Sequence, residues 1–267
     1  MNTTQCQSGK SRLAAVISAA GDVVDIGDVE STQSVSRTQA AKLLSRWARQ
    51  GWLRRVGPGV YVPVELALWD SERVIEDPWM LVPALFDPAY VGGWTAAEHW
   101  GLTEQIFREI QVFTARPVRQ KTIESQGTVF SLKHISEDLI FGTKAVWRGQ
   151  TRVLVSDIHR TIVDMFSDPS IGGGIQHVAD CFEQYMQHKD SDPRLLIHYA
   201  EQLGNGAVFK RLGFLAERHP RAELMIDSAK LRLTKGYAKL DPALDCAKLV
   251  TRWRLRVPKS WKERGHS

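Results

Sequence analysis

The stretch from Ser36 to Pro63, SRTQAAKLLSRWARQGWLRRVGPGVYVP, limits what this chain can fold into more than any other. Ser36 is suited to start a helix, because its hydroxyl can accept a hydrogen bond from the first free backbone N–H groups. Gly51 is suited to close that helix in a left-handed conformation. Between them Ala40, Leu43, Leu44 and Trp47 recur at i, i+3, i+4 and i+7 and make one apolar stripe, while Arg37, Lys42, Arg46 and Arg49 fall elsewhere. After Gly51, the segments 52–56 and 60–62 are β-branched and aromatic and flank Gly57-Pro58-Gly59, which is a hairpin signature. A basic helix followed at once by a basic-flanked hairpin is the sequence form of a winged helix-turn-helix.

Charge points the same way. From Ser36 to Val56 there are six basic residues and no acidic one, the local excess that a polyanion-binding surface requires. Over the whole chain, residues 1–65 carry 8 Lys/Arg against 5 Asp/Glu, residues 66–228 carry 16 against 22, and residues 229–267 carry 11 against 3. The two ends are basic and the middle is acidic. With 267 residues the expectation is two domains, and 43% hydrophobic with 24% charged residues suits a soluble globular chain. No apolar run approaches the roughly 20 residues of a membrane span, and MNTTQCQSGK lacks a signal-peptide core, so a cytoplasmic protein is expected. Cys6, Cys181 and Cys246 are odd in number and far apart, which argues for buried or idle thiols over disulfides or a zinc site.

Upstream of Ser36, a first helix is expected from Lys10 to Gly21, a short strand or turn at Val23–Ile26, and a short second helix at Asp28–Ser31. These would brace a third helix whose N-terminal end, Ser36, Arg37, Thr38 and Gln39, enters the major groove. Arg37 can read guanine and Gln39 adenine, whereas Lys42, Arg46, Arg49, Arg54 and Arg55 suit phosphates. Pro63–Asp70 reads as a junction, and Pro78 and Pro83 keep helix short in Ser71–Leu85. A helix from about Thr95 to Gly101 follows, then strands at Ile110–Thr114, Thr128–His134, Ile140–Trp147 and Thr151–Val155, with links short enough to favour a mostly antiparallel sheet. Helices are then expected at Ile158–Phe166, Ile175–Gln187, Pro193–Leu203 and Ala207–Arg218, and an irregular basic end from Gly236. In that end Arg252, Arg254 and Arg256 fall at strand alternation, one cationic face that with Lys259 could meet nucleic acid or a partner.

Several residue clusters invite a chemical reading. Asp157, His159, Arg160 and Asp164 lie within eight residues, but a capped and ion-paired first helical turn explains them, since no motif completes a catalytic set. Gly172-Gly173-Gly174 precedes a helix without the residues of a phosphate loop, so loop flexibility is the better account. His177, His188 and His198 lack metal-ligand spacing. A metal-dependent nuclease would need carboxylates converging with a lysine on one sheet; Glu98, Glu104, Glu109 and Lys121 do not form that arrangement, since Gln111 stands at the lysine position. No catalytic residue, metal or cofactor is therefore expected.

Four separated segments together resemble the AbiEi antitoxin family of bacterial toxin-antitoxin systems: GWLRRVGPGVYVP at Gly51–Pro63, YVGGWTAAEHWGL at Tyr90–Leu102, VSDIHRTIVDMF at Val155–Phe166 and VFKRLGFLAERH at Val208–His219. The resemblance implies an autoregulating repressor whose winged helix binds inverted repeats in its own promoter, and a C-terminal domain that neutralises a nucleotidyltransferase-like toxin, with direct contact left open. One departure is the wing turn, where family members often carry Arg-Gly and this chain has Gly57-Pro58-Gly59. The expected fold is α+β: a winged helix-turn-helix at residues 1–67, then at 68–267 a domain with a mostly antiparallel sheet, a helical half and a basic tail. The expected partners are double-stranded DNA, bound as a monomer or weak dimer, and the toxin, with no membrane. The alternatives are a stand-alone winged-helix regulator and, behind it, the nuclease.

Overall fold

Capping chemistry sets the first helices. A computed structural model of the chain describes residues 9–64 and 77–261. Helix α1 (Gly9–Ala20) buries Leu13 and Val16, and strand β1 (Val24–Asp25) leads directly into α2 (Ile26–Gln33). Asp25 and Asp28 cap one another reciprocally there, which starts α2 earlier than the Asp28–Ser31 turn expected from sequence. Helix α3 (Arg37–Arg49) has Ser36 as its cap: the Ser36 hydroxyl accepts from the Gln39 N–H at 3.4 Å, and Gln39 Oε1 accepts from the Ser36 N–H at 3.1 Å. Gly51, at φ +73°, turns the chain out of the helix. The hairpin follows as β2 (Leu53–Gly57) and β3 (Val60–Pro63), and β1 joins it in the order β1-β3-β2.

This small sheet has two covered faces. Side chains alternate along a strand, so Leu53 and Tyr61 face the helices and share a core with Leu13, Val29, Leu44 and Trp47. Val56, Val60 and Val62 face the other way and enter a second core with Leu81, Val112, Phe130 and Val155 from the rest of the chain. The expected domain boundary at residues 67 and 68 lies outside the described residues, as do most of the Pro63–Asp70 junction, residues 71–76, Cys6 and residues 262–267.

The second core belongs to a six-stranded sheet with α4 (Leu81–Phe86) on it. Its strands are β4 (Ala89–Val91), β5 (Glu109–Thr114), β6 (Thr122–Ser125), β7 (Thr128–His134), β8 (Thr143–Arg148) and β9 (Thr151–Ser156), in the order β6-β7-β5-β4-β9-β8. Three pairings are antiparallel, as expected, but β5 with β7 and β4 with β9 are parallel. The parallel β5–β7 pair exists because the link between them contains β6, which turns the chain once more. Helix α5 (Gly93–His99) crosses between β4 and β5 and starts two residues before the expected Thr95.

The helical half comprises α6 (Ile158–Ser167), α7 (Ile175–Gln187), α8 (Pro193–Leu203), α9 (Gly206–Ala216) and α10 (Glu223–Leu231); the first four match the expected helices and α10 does not appear among them. The chain end is not irregular where described. It forms a sheet of β10 (Ala238–Lys239), β11 (Lys248–Val250) and β12 (Leu255–Val257), with Trp253 fully buried. Gly213 on α9 leaves the room for it, since a Cβ there would meet the Trp253 ring at 2.1 Å.

Several charged residues of the four segments quoted above are structural. Arg211 is buried and donates to the carbonyls of Phe166, Ser167, Lys239 and Leu240 at 2.6, 3.1, 2.8 and 3.0 Å, tying α6 to the C-terminal sheet. The cluster at Asp157–Asp164 is likewise built into the core, as a capped and ion-paired start of α6. Asp157 caps α6 through the Arg160 N–H at 2.8 Å, while the Arg160 guanidinium pairs with Asp164 at 2.9 Å. Tyr90 donates to the same carboxylate at 2.9 Å. Of the glycines at 172–174, Gly172 is close-packed, since a Cβ there would lie 2.5 Å from Val178, while Gly173 is exposed and Gly174 half-buried. The first amide of α7, on Ile175, donates to Asp241 at 2.9 Å, so the chain's own carboxylate takes the place a phosphate would occupy.

Candidate nucleic-acid interface

Helix α3 turns a polar, cationic surface outward. Its apolar residues Ala40, Leu44 and Trp47 are buried, whereas Ser36, Arg37, Thr38, Gln39, Lys42, Ser45, Arg46 and Arg49 are exposed. Helices α1 and α2 pack behind it. Arg37 reaches Glu30 only at 3.6 Å and its side chain is 75% exposed, so the guanidinium can exchange that contact for another anion at little cost. Gln39 is partly committed, because its Oε1 completes the helix cap. The second lone pair of that oxygen and the NH₂ group remain for an adenine edge.

The two arginines of β2 do not act as a pair. Arg55 is exposed and donates to the Gly57 carbonyl at 3.1 Å two residues along β2, where the ladder to β3 shifts register. Arg54 is half-buried and reaches Gln126 Oε1 at 3.4 Å. The wing tip is held from both sides: a Cβ on Gly57 would lie 2.4 Å from Leu85 and one on Gly59 3.0 Å from Ile26, with Pro58 exposed between them.

At the other basic end the expected cationic face is divided. Arg252 lies in a 3-10 turn and donates both Nε and Nη2 to Glu217, at 2.8 and 2.7 Å. Arg254 adopts φ +49° and donates to the Thr234 carbonyl at 3.0 Å, while Arg256 is exposed on β12 and Lys259 beyond it. The left-handed residue breaks the strand that the alternation of arginines suggested. Of the four, Arg252 and Arg254 are engaged by Glu217 and the Thr234 carbonyl, and Arg256 and Lys259 are exposed cations.

The residues weighed for chemistry are dispersed. Glu98 lies on α5, Glu104 in the segment after it, Glu109 at the start of β5 with its carboxylate on the Ser131 hydroxyl, and Lys121 just before β6. Among the described residues no group of three His, Cys, Asp or Glu could hold a metal ion. Cys181 and Cys246 are buried free thiols, and burial, with Asp180 nearby, pushes the Cys181 thiol up to about 12. A cleft of about 1200 Å³ between α7, α9, α10 and the chain end takes Leu215, Glu217, Arg218 and His219 from the last of the four segments; five carboxylates line it, of which Glu217 pairs with Arg252 and Asp241 accepts from the Ile175 N–H.

The exposed helix, its bracing helices and the hairpin have the geometry of a winged helix-turn-helix. Residues 11–64 match the family of AbiEi antitoxin transcriptional regulators. That match spans the winged helix and supports a DNA-binding regulator; the AbiEi family is one of regulators, not of enzymes. The fold as a whole is similar to the crystal structure of the RV2827C protein from Mycobacterium tuberculosis, with a TM-score of 0.60 and 14% identity over 94% of this chain and 92% of that one. No curated protein matches the chain. Among the described residues no helix is long and apolar enough to cross a membrane.

Proposed function

We propose that the chain is a cytoplasmic DNA-binding antitoxin that represses its own operon by binding inverted repeats in the promoter, and that residues beyond the winged helix neutralise a nucleotidyltransferase-like toxin. The observation that carries the DNA-binding half is α3, which keeps one apolar face buried and leaves every cation of the helix exposed. In this reading Arg37 and Gln39 meet base edges, and Lys42, Arg46, Arg49 and Arg55 meet phosphates. Arg256 and Lys259 are the C-terminal cations best placed to add a nucleic-acid or partner contact. The toxin-directed half is supported by the AbiEi match, and the acidic cleft suits a protein partner better than DNA.

Mobility-shift titrations with the DNA upstream of the chain's own gene test the assignment. Arg37→Ala and Gln39→Ala should each cost about 1–3 kcal/mol on that DNA and little on random DNA, whereas Arg46→Ala should weaken both alike. Equal losses on both DNAs for all three variants would refute the division of roles. Co-expression with a neighbouring nucleotidyltransferase-like gene tests the antitoxin half: the full chain should restore growth, and failure to do so would leave a regulator without antitoxin function.

A further inference from the structure

The wing is fastened to the second sheet by a strained turn. Strand β6 passes to β7 through the two-residue turn Gln126-Gly127, with φ +53° and +73°. Both residues are left-handed, as a tight hairpin of this kind requires, and glycine satisfies that at no cost. Gln126 does not: a long side chain in that region is sparsely populated and persists where its surroundings hold it. Its surroundings here are strand β2. Gln126 Oε1 accepts from Arg54 Nη1 at 3.4 Å, and the preceding Ser125 hydroxyl, buried, donates to the Val56 carbonyl at 2.9 Å.

These contacts matter because β2 is the edge strand of the winged-helix sheet. Its outer carbonyl at Val56 is satisfied by Ser125 rather than by another strand, and Val56, Val60 and Val62 lie on the sheet core that β6 and β7 flank. Arg55, the exposed cation of the wing, sits between the two anchored residues. The β2–β3 ladder shifts register between Arg55 and Gly57, so the direction of Arg55 depends on how Arg54 and Val56, the residues on either side of it, are held.

We infer that Ser125 and Gln126 are positioning residues for DNA binding, holding β2 so that Arg55 faces the same side as α3, and that Arg54 is their handle on the strand rather than a phosphate contact. This rests on the DNA-binding reading above and goes beyond it, since it places part of the DNA-binding machinery 70 residues away in the second sheet and reassigns Arg54.

The test is a salt-titrated mobility shift on the full chain. Gln126→Gly keeps the left-handed turn, removes the amide and relieves the backbone strain, so it should unfold in urea no earlier than the wild type. It should nevertheless weaken binding to the upstream DNA by about threefold or more. Arg54→Ala should weaken binding to the same degree, and the double variant no further. None of these should change the salt slope, whereas Arg55→Ala should make it shallower by about one. Ser125→Ala should weaken binding in the same way, and should also unfold earlier in urea because it leaves the Val56 carbonyl unpaired. If Gln126→Gly binds as tightly as the wild type, or if Arg54→Ala alone flattens the salt slope, the inference is wrong while the DNA-binding reading stands. If the wild type does not bind the DNA at all, both fall together.

Discussion

Removing the Asp164 carboxylate should destabilise the fold, not silence a reaction. Arg160 and Asp164 have side chains that are 0% and 2% exposed, joined at 2.9 Å. The other carboxylate oxygen accepts from Tyr90 at 2.9 Å, and Arg160 Nη2 donates to the Tyr90 oxygen at 3.0 Å. The Phe141 ring lies 3.9 Å from the guanidinium carbon. Asp164→Ala leaves that cation without its counter-ion in a space that water does not reach. Breaking a buried pair in this way costs about 3–5 kcal/mol, against a total stability of about 5–15 kcal/mol for a typical domain. Tyr90→Phe removes one hydrogen bond to a charged group and should cost about 1.5–3 kcal/mol. Arg160→Met with Asp164→Leu removes both charges and should recover most of the loss. Urea denaturation with equal slopes across the series is the assay. An Asp164→Ala variant within about 1 kcal/mol of the wild type, or a double variant no better than the single, would refute the structural reading of this cluster.

Three further outcomes follow from the same structure. Ser36→Ala removes the cap of α3 and should cost about 1 kcal/mol in urea unfolding, with DNA affinity falling as the first turn frays. Burial pushes the Asp168 carboxyl up, but the Lys133 and Ser170 hydrogen bonds outweigh it and hold the group below its ordinary 3.8. Its contribution to stability is therefore complete above that unfolded value and lost as the pH falls through the lower folded one, so Asp168→Asn should lose less stability than the wild type as the pH is lowered below about 4. A fragment ending at Val64 should keep slow amide exchange in α3 but lose it at Val60–Val62, because the valines of that hairpin bury against the second sheet; unchanged protection there would show that the wing folds by itself.

Where the structural signal is local in sequence, it was legible. The Ser36 cap, the 3.6-residue stripe of α3 and the Gly-Pro-Gly turn each act within a few residues, and α3 and the hairpin lie where those signals put them. The elements that went unread carry weak local signals. Strand β4 is three residues long, β6 reads Thr-Ile-Glu-Ser with a single large apolar side chain, and α10 follows Ala222, which supplies no side-chain cap. The opposite roles of Arg54 and Arg55 were out of reach for a different reason. Adjacent strand residues always diverge, but what each meets depends on a turn 72 residues further along the chain. The C-terminal arginines misled because alternation is compatible with a strand only if no residue adopts a left-handed backbone, and Arg254 does.

The most direct measurement of the central claim is the affinity of the full chain for the DNA upstream of its own gene as salt is raised. Four exposed cations, Lys42, Arg46, Arg49 and Arg55, are assigned to phosphates. The slope of log affinity against log salt should then be about −3 to −4, and should become shallower by about one with each of them replaced by alanine. A slope near zero, or one unmoved by Arg46→Ala and Arg49→Ala, would contradict the account of α3 and the wing as a DNA-binding surface.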